Sequence, residues 1–144
     1  MEGHRFGGRI SRVARILQIR LERDLSPLGV TRLGALVLTA IGEDGITAPS
    51  ALAERVGVTR PALSRLLRGL ETKGLIARTP GQAGDGRQKA VGLTPQGVAA
   101  MVEARAAFDA LHAHFSAKLT PEALAHLTAA LDALAAGEPA PSAY

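Results

Sequence analysis

The chain has 144 residues, a length that suits one domain with a modest core. Hydrophobic residues make up 47% of it but aromatic residues only 3%, so the core must be aliphatic, which favours closely packed helices over a β-sandwich. There is no cysteine, which excludes disulfides and thiolate metal sites. The sequence contains neither a signal peptide nor an apolar run of the ~18 residues that a membrane span needs, so we expect a cytoplasmic protein without a membrane partner.

The formal net charge is +4, and it is unevenly distributed along the chain. Residues 48–93 contain eight Lys or Arg against three Asp or Glu, a local charge of +5. Residues 1–30 carry +3, residues 31–47 carry −1 and residues 94–144 carry −3. The concentration of positive charge in the middle of the chain indicates a polyanionic partner.

The first third of the sequence predicts two helices. Apolar residues at helical spacing indicate a first helix over residues 8–25, whose other side is rich in arginine. The segment 26–30 contains proline and glycine and breaks this helix. Thr31 is expected to cap a second helix that Gly42 ends, and Ile46 is expected to form a short strand in the loop that follows.

Residues 50–74 have the pattern of a helix-turn-helix. Ser50 is expected to cap a short helix, and Gly57 to provide the bend, where a residue without Cβ fits most easily. Thr59 is the next N-cap, and leucines at i, i+3, i+4 and i+7 form the apolar face of the second helix. Gly74 lies just past the end of that helix. This order of elements is typical of a helix-turn-helix.

The solvent side of the second helix predicts contact with nucleic acid. The residues opposite its leucines are Pro61, Ser64, Arg65, Arg68 and Thr72, with Arg60 at the helix entrance. Arginine presents a planar fork of donors that fits a guanine edge or a phosphate, and serine or threonine can reach either. On an isolated helix these residues would be interpreted as an ordinary solvated face. Their place on the second helix of a helix-turn-helix favours DNA.

A Gly-rich hairpin follows the second helix and makes the motif winged. Residues 75–93 predict two short strands, and Asp85-Gly86 in the tip between them is a hairpin-turn signal. Arg87 follows directly and can be oriented by Asp85, which makes it a candidate minor-groove contact together with Lys89. An ordinary exposed hairpin arginine is the alternative.

Two C-terminal helices begin with the same signal, a threonine followed by a proline. Thr94 is expected to cap a long helix and Thr120 a last one, and both helices carry continuous apolar seams. A winged helix alone cannot cover these seams, so they need a partner, most simply a second copy of the chain that joins first and last helices. The sequence therefore predicts a homodimer.

The predicted fold class is mainly α with a small β-wing. Residues 31–93 are assigned to a winged helix-turn-helix DNA-binding domain. Residues 1–30 and 94–137 are assigned to a helical dimerisation region that flanks it. Residues 138–144 are expected to be a disordered tail.

With its elements in this order, the chain resembles the MarR family of winged-helix transcriptional regulators over nearly its whole length. The resemblance rests on LAERVGVTRPALSRLLRGLETKGLIAR in the helix-turn-helix, Asp85-Gly86-Arg87 in the wing and LTPQG after it. It implies a homodimer whose recognition helices lie in the major groove of a pseudo-palindromic operator, with Arg87 in the minor groove beside Asp85. It also implies repression that a small, often phenolic, ligand relieves by releasing the DNA. The wing carries only Arg87 where many relatives have two adjacent arginines, which implies weaker minor-groove affinity.

The residue pattern and the resemblance together assign roles to individual residues. Major-groove contacts are expected from Thr59, Arg60, Pro61, Ser64 and Arg65. Phosphate contacts are expected from the backbone N–H groups at Ser50 and from the side chains of Arg68 and Arg78. Wing contacts are expected from Asp85, Arg87 and Lys89. Phosphate contacts position such a protein, whereas base contacts specify the sequence.

Other functional classes find little support in the residues. His112 and His114 lie two apart on a helix, so their side chains diverge by about 200° and cannot bind one metal ion. His112 flanks the apolar seam and is expected at the dimer interface. No nucleophile, base and acid set can be assembled, so we expect neither an enzyme nor a bound cofactor or metal.

Two alternatives to a ligand-gated regulator remain open. One is a constitutive or architectural DNA binder without a ligand, and the other is a winged helix used for protein contacts. A ligand pocket would lie between the terminal helices and the winged domain, lined by the first, second and post-wing helices, with Phe108 nearby. The sequence identifies neither the ligand nor the residues that bind it.

Overall fold

The computed structural model describes residues 5–79 and 90–140. In these ranges the chain forms α1 Gly7–Leu25, α2 Arg32–Gly42, α3 Pro49–Val56, α4 Arg60–Thr72, β1 Ile76–Thr79, β2 Ala90–Leu93, α5 Pro95–Ser116 and α6 Pro121–Ala135, with a 3₁₀ turn Ser26–Leu28 after α1. The strands form a two-stranded antiparallel sheet. The predicted fold class, mainly α with a small β-wing, is confirmed.

Threonine side chains begin four of the six helices, as the sequence predicts. The hydroxyl oxygens of Thr31, Thr59, Thr94 and Thr120 each accept a hydrogen bond from the backbone N–H three residues further on, at 3.1, 3.3, 3.0 and 3.1 Å. Each bond gives a partner to a backbone donor that the helix itself leaves free, which stabilises the helix by about 1 kcal/mol.

The cap predicted at Ser50 is wrong. The helix α3 begins one residue earlier, at Pro49, and its N-cap is Ala48 in an extended conformation, with φ −85° and ψ 128°. A residue before proline is restricted to extended backbone, and proline suits the first helical position because its φ is already helical and it has no N–H to leave unpaired. Ser50 is therefore the second residue of α3.

The short strand predicted at Ile46 is also wrong. The N–H of Ile46 donates to the carbonyl oxygen of Ala40 at 3.2 Å, which folds the loop back onto the end of α2. The next residue, Thr47, accepts one hydrogen bond from the N–H of Val91 in β2, at 3.0 Å. A single backbone bond ties the loop to the sheet without making it a strand.

The helix α2 is the centre of the fold, since it buries most of its surface and contacts α1, α3, α4, α5 and β2. The largest fully buried side chains are Leu25, Val37, Leu38, Leu52, Leu63, Leu67 and Val91, an aliphatic core as predicted. Burying one such leucine or valine is worth about 1.5–3 kcal/mol. Because α4 turns its leucines toward this core, its opposite face must lie in solvent.

A tight junction joins the end of α4 to the start of α5. The hydroxyl of Thr94 donates to the carbonyl oxygen of Gly74 at 2.5 Å, and the N–H of Thr94 donates to the carbonyl oxygen of Leu75 at 3.1 Å. A Cβ atom at Gly97 would lie 1.9 Å from that same Leu75 oxygen, so only glycine fits there. The junction fixes the base of the β-wing relative to α5.

Candidate nucleic-acid interface

The helix α4 presents a basic face to solvent. Its side chains at Arg60, Pro61, Arg65, Arg68 and Thr72 are exposed, and that of Ser64 is partly buried. The buried residues of the same helix are Leu63, Leu67 and Leu70, so core and solvent faces are separated as the leucine spacing predicts. Packing of the leucines fixes the rotation of α4 about its axis, and with it the direction of the arginines.

The N-terminus of α4 adds a second source of positive potential. The hydroxyl oxygen of Thr59 accepts from the N–H of Ala62, and the N–H of Leu63 donates to the carbonyl oxygen of Thr59. Because Pro61 has no N–H, the first-turn donor left without an intrahelical acceptor is that of Arg60. The first turn contains no acidic residue, and Arg60 stands in it. Helix N-termini attract anions through these donors and the helix dipole, so this end suits a DNA backbone or base edge.

Ser50 occupies the corresponding end of α3, which packs against α4. As the second helical residue it retains a backbone N–H without an intrahelical acceptor. The phosphate contact predicted for Ser50 relies on that N–H and on the N-terminal position, and not on the capping role that the sequence had suggested. The predicted contact is therefore compatible with the corrected helix start.

Arg78, which the sequence assigns to a phosphate, packs against α4 instead of extending freely into solvent. Its Nε lies 3.1 Å from Oε2 of Glu71, and only 25% of its side chain is exposed, against 47% for Glu71. The pair connects the last turn of α4 to β1. Sequence reasoning missed it because the two residues meet only after the chain reverses at Gly74. Glu71 is the one acidic residue of α4, and that is the signal which could have indicated its role.

The predicted wing contacts lie outside the described residues. Asp85, Arg87 and Lys89 all fall in the segment 80–89, and their roles stay predictions. Thr79 pairs with Ala90 at the ends of the two strands that flank this segment.

A cavity of about 440 Å³ lies between α2, α3 and α5. Its apolar walls include Leu36, Val56 and Phe108, and its polar lining includes Arg55 and Arg105. The predicted position near Phe108, between terminal and winged elements, agrees with this cavity. Of the three helices predicted to line the pocket, α2 and α5 line this cavity, and α3 stands in the place of α1. A separate cavity beside Phe108 is lined by Leu17 of α1.

Two ion pairs lie at the polar side of this cavity. Arg55 Nη2 is 2.9 Å from Oδ2 of Asp44, and Arg105 Nε donates to Oε1 of Glu43 at 2.8 Å. The hydrogen bond from Arg105 lowers the pKa of Glu43 below its ordinary value of 4.5. The first pair joins the end of α2 to α3 and the second joins it to α5, so both pairs connect elements that surround the cavity.

Metal and membrane sites are not evident in the described part of the chain. There, no group of three or more His, Asp or Glu side chains is arranged to hold a metal ion. No single helix in these ranges is long and apolar enough to cross a membrane. The helical segments Gly7–Leu28 and Arg32–Gly42, which are bent by 72° relative to each other, together reach the length and composition of a membrane span, but on those two criteria alone.

Two helices joined by a tight turn, a basic exposed second helix and a two-stranded wing define the winged helix-turn-helix class of DNA-binding proteins. A model described as MarR family matches residues 28–88. An HTH-type transcriptional repressor of Mycobacterium bovis is 33% identical over 109 residues, which cover 76% of this chain and 78% of the relative. The chain belongs to the MarR family and is an HTH-type transcriptional regulator.

Two further comparisons agree. An uncharacterized HTH-type transcriptional regulator of Mycobacterium leprae is 34% identical over 98 residues, which cover 68% of this chain and 65% of that protein, just under two thirds of its length. A crystal structure of a mutant MarR from E. coli complexed with operator DNA matches with a TM-score of 0.82 and 29% identity, covering 90% of this chain and 92% of that chain. The family consists of transcriptional regulators and not of enzymes.

Proposed function

We propose that this regulator acts in the cytoplasm as a homodimeric repressor that binds a pseudo-palindromic operator and leaves it when a small phenolic ligand binds. The exposed face of α4 is the observation that carries the proposal. Arg65 and Arg68 extend from it with nothing acidic between them, and the buried leucines fix their direction. A rigidly oriented arginine pair on a recognition helix can read bases and bind phosphates at once.

In this proposal each group of residues contacts a different part of the DNA. Bases in the major groove are contacted by Thr59, Arg60, Pro61, Ser64 and Arg65. Phosphates are contacted by the Ser50 backbone, Arg68 and Arg78, and the minor groove by Arg87 and Lys89 with Asp85 orienting the arginine. Two subunits would present their recognition helices about 34 Å apart, one turn of the duplex.

The exposed apolar surface of the terminal helices supports the homodimer. Leu127, Leu131 and Leu134 of α6 are 45–49% exposed, and within the described residues α6 has no buried side chain. A helix of this length is marginal in water when nothing covers its apolar face. Residues 1–30 and 94–137 together would supply the missing cover as the dimerisation region of two chains.

The cavity beside Phe108 supports a ligand-controlled release. A phenolic ligand could stack its ring on Phe108 and reach the charged groups at Arg55 and Arg105. Because the walls belong to α3 on one side and α5 on the other, a ligand that separates them would turn the helix-turn-helix relative to the dimerisation region. A small rotation of both recognition helices would break their spacing on the operator.

Fluorescence anisotropy tests the DNA-binding part. The DNA upstream of the protein's own coding sequence is compared with random duplex at two salt concentrations. Binding to the upstream DNA that is orders of magnitude tighter supports a sequence-specific repressor. Equal binding to both duplexes favours the constitutive or architectural alternative, and binding to neither favours a winged helix used for protein contacts.

A thermal-shift panel of hydroxybenzoates tests the ligand part. We expect one or more compounds to raise the melting temperature of the wild type and to lower its operator affinity in the anisotropy assay. Phe108→Ala should lose both responses. The matched control is Val102→Ala on the same helix, whose side chain is 60% exposed and lies away from the cavity. A ligand response that survives in Phe108→Ala would place the effector elsewhere.

A further inference from the structure

Two cavities meet at one pair of side chains on α5. The first is the cavity of about 440 Å³ between α2, α3 and α5, in which we place the ligand and which we call the ligand cavity. The second is the separate cavity beside Phe108, of about 250 Å³, which extends toward α1 and α6. Both are lined by Phe108 and His112, which stand one turn apart on α5. Only these two side chains are common to the two linings, so the cavities adjoin there.

The second cavity is apolar, and we call it the apolar cavity. Among its described lining residues, the only polar side chains are those of His112 and Ser116, and the Ser116 hydroxyl already donates to the carbonyl oxygen of Ala113 at 3.4 Å. Its other walls are Leu17, Leu111, Phe115, Leu119, Leu124 and Leu127. Ligand pockets usually measure about 300–1,000 Å³, so a cavity of this size suits the apolar part of a ligand better than a whole one.

The ligand cavity is polar, but its charges are balanced. Its lining contains two arginines, Arg55 and Arg105, and two aspartates, Asp44 and Asp109. Both arginines are already paired, Arg55 with Asp44 at 2.9 Å and Arg105 with Glu43 at 2.8 Å. A carboxylate on the ligand would have to displace one of these partners, whereas a neutral group would not.

Asp109 provides an acceptor for such a neutral group. Within the described residues its carboxylate takes part in no ion pair. It stands one residue after Phe108 and lines the same cavity. An ionised carboxylate only accepts hydrogen bonds, so the hydroxyl of a phenol can donate to it while the ring contacts Phe108.

We infer that the effector is a neutral phenol that carries a hydrocarbon chain. Its ring occupies the ligand cavity with its hydroxyl on Asp109, and its chain passes between Phe108 and His112 into the apolar cavity. The inference rests on the proposed ligand-controlled release and adds the chemical class of the ligand.

The side chains that separate the cavities allow this passage. His112 is exposed and Phe108 is only partly buried, and exposed side chains change rotamer within nanoseconds. The two can therefore part without any change in the backbone of α5. Leu127, at the other end of the apolar cavity, is 46% exposed and belongs to the apolar face that the proposed dimer covers. A second chain would thus close the cavity over the hydrocarbon chain.

This arrangement also gives the ligand a direction. The chain anchors the molecule among α1, α5 and α6, and the ring is then held against the side of the ligand cavity that Arg55 and Val56 of α3 provide. Since α3 packs against α4, a displacement of α3 reaches the recognition helix. Binding energy gained in the apolar cavity can therefore be used to move the DNA-binding elements.

A series of alkyl 4-hydroxybenzoates, from the methyl to the hexyl ester, tests the inference by isothermal titration calorimetry on the full-length protein. These compounds share one phenol and differ only in the length of the chain. We expect the Kd to fall about three- to fourfold for each added CH2 group until the apolar cavity is filled. Release of the operator in the anisotropy assay should follow the same order. The free acid, 4-hydroxybenzoate, should bind more weakly than its methyl ester.

Ser116→Trp fills the apolar cavity and should remove the dependence on chain length. Its Kd for the methyl ester should stay within about twofold of the wild-type value, while the hexyl ester should bind no more tightly than the methyl ester. Ala113→Trp is the matched control, since it places the same side chain on an exposed position of α5 that lines neither cavity, and it should keep the full dependence. Circular dichroism and analytical ultracentrifugation verify that both variants fold and assemble as the wild type does.

A wild-type Kd that is independent of chain length would overturn the inference, as would a dependence that persists in Ser116→Trp. In both cases the esters would still bind and release the operator, so the proposed function would stand. If neither the esters nor the acid bind the wild type, the ligand-controlled release itself fails, and the inference fails with it.

Discussion

Arg78 of β1 and Glu71 of α4 form an ion pair, with 3.1 Å between Nε and the carboxylate oxygen Oε2. One of the arginines predicted to contact DNA thus shares its charge with an acidic residue of the recognition helix. The pair also ties the base of the wing to α4. Any contact between Arg78 and a phosphate therefore competes with Glu71 or has to accommodate it.

Glu71→Gln should strengthen DNA binding without improving specificity. Removing the carboxylate leaves the full charge of Arg78 for the DNA backbone, so affinity should rise on operator and random duplex alike. The slope of log K against log salt should steepen by up to about 0.9, the value for one additional phosphate contact. Anisotropy titrations at several salt concentrations measure it, with Glu122→Gln on α6 as the control. An unchanged slope would contradict a role for Arg78 at a phosphate.

Arg65→Ala and Arg68→Ala should have different effects on DNA affinity and specificity, although both residues lie on the exposed face of α4. If Arg65 reads a base, its loss should cost about 1–3 kcal/mol on the operator and much less on random DNA. If Arg68 binds a phosphate, its loss should weaken both duplexes equally and make the salt slope shallower. Arg12→Ala, an exposed arginine of α1, controls for the general loss of charge. Equal losses on both duplexes for Arg65→Ala would reject the base contact.

Gly97→Ala should destabilise the fold because the new Cβ would lie 1.9 Å from the carbonyl oxygen of Leu75. That oxygen belongs to the backbone and also accepts the N–H of Thr94, so it cannot move away cheaply. We expect a loss of about 1–3 kcal/mol, the usual cost of overpacking, and more if the junction opens. Urea unfolding measures it.

Gly92→Ala is the matched control for that measurement, since nothing lies within 4 Å of a Cβ built at Gly92. Its free energy of unfolding should stay within about 0.5 kcal/mol of the wild-type value, as for most surface substitutions. Similar losses in the two variants would mean that glycine is needed for its flexibility and not for the close approach at Leu75.

Local signals predicted the fold well. The threonine caps act over three residues and the leucines repeat within one helix, so both could be read from the sequence alone. The error at Ser50 has the same local origin, because Pro49, directly before the serine, sets the start of α3. The assignment of Ile46 to a strand failed because one hydrogen bond to β2 does not make a ladder.

The relationships that join separate elements could not be predicted. Arg105 and Glu43 lie 62 positions apart, and only the crossing of α2 and α5 brings them together. The partner of Arg78 and the close approach at Gly97 likewise depend on how elements dock. In the candidate site, the side chains on the exposed face of α4 could therefore be predicted from the sequence. The charged partners that neutralise or orient the arginines of the site could not.

The ion pair between Glu43 and Arg105 should make stability depend on pH in a defined acidic window. The hydrogen bond from Arg105 lowers the pKa of Glu43 in the folded chain below 4.5. The contribution of the pair is thus fully present above that value and is lost as the pH falls through the lowered folded-state pKa, when the carboxylate takes up a proton. Arg105→Gln removes the cause of the shift and should be less stable than the wild type at neutral pH.

Urea midpoints for both proteins between about pH 7 and pH 3 measure this effect, and the two curves should converge toward the acidic end of that range. The urea midpoints of Arg12→Gln, a variant on the exposed side of α1, should instead differ from those of the wild type by the same amount at every pH. A constant gap between wild type and Arg105→Gln down to the lowest pH would mean that Arg105 stabilises the contact of α2 and α5 through packing of its aliphatic stem and not through the charge of Glu43.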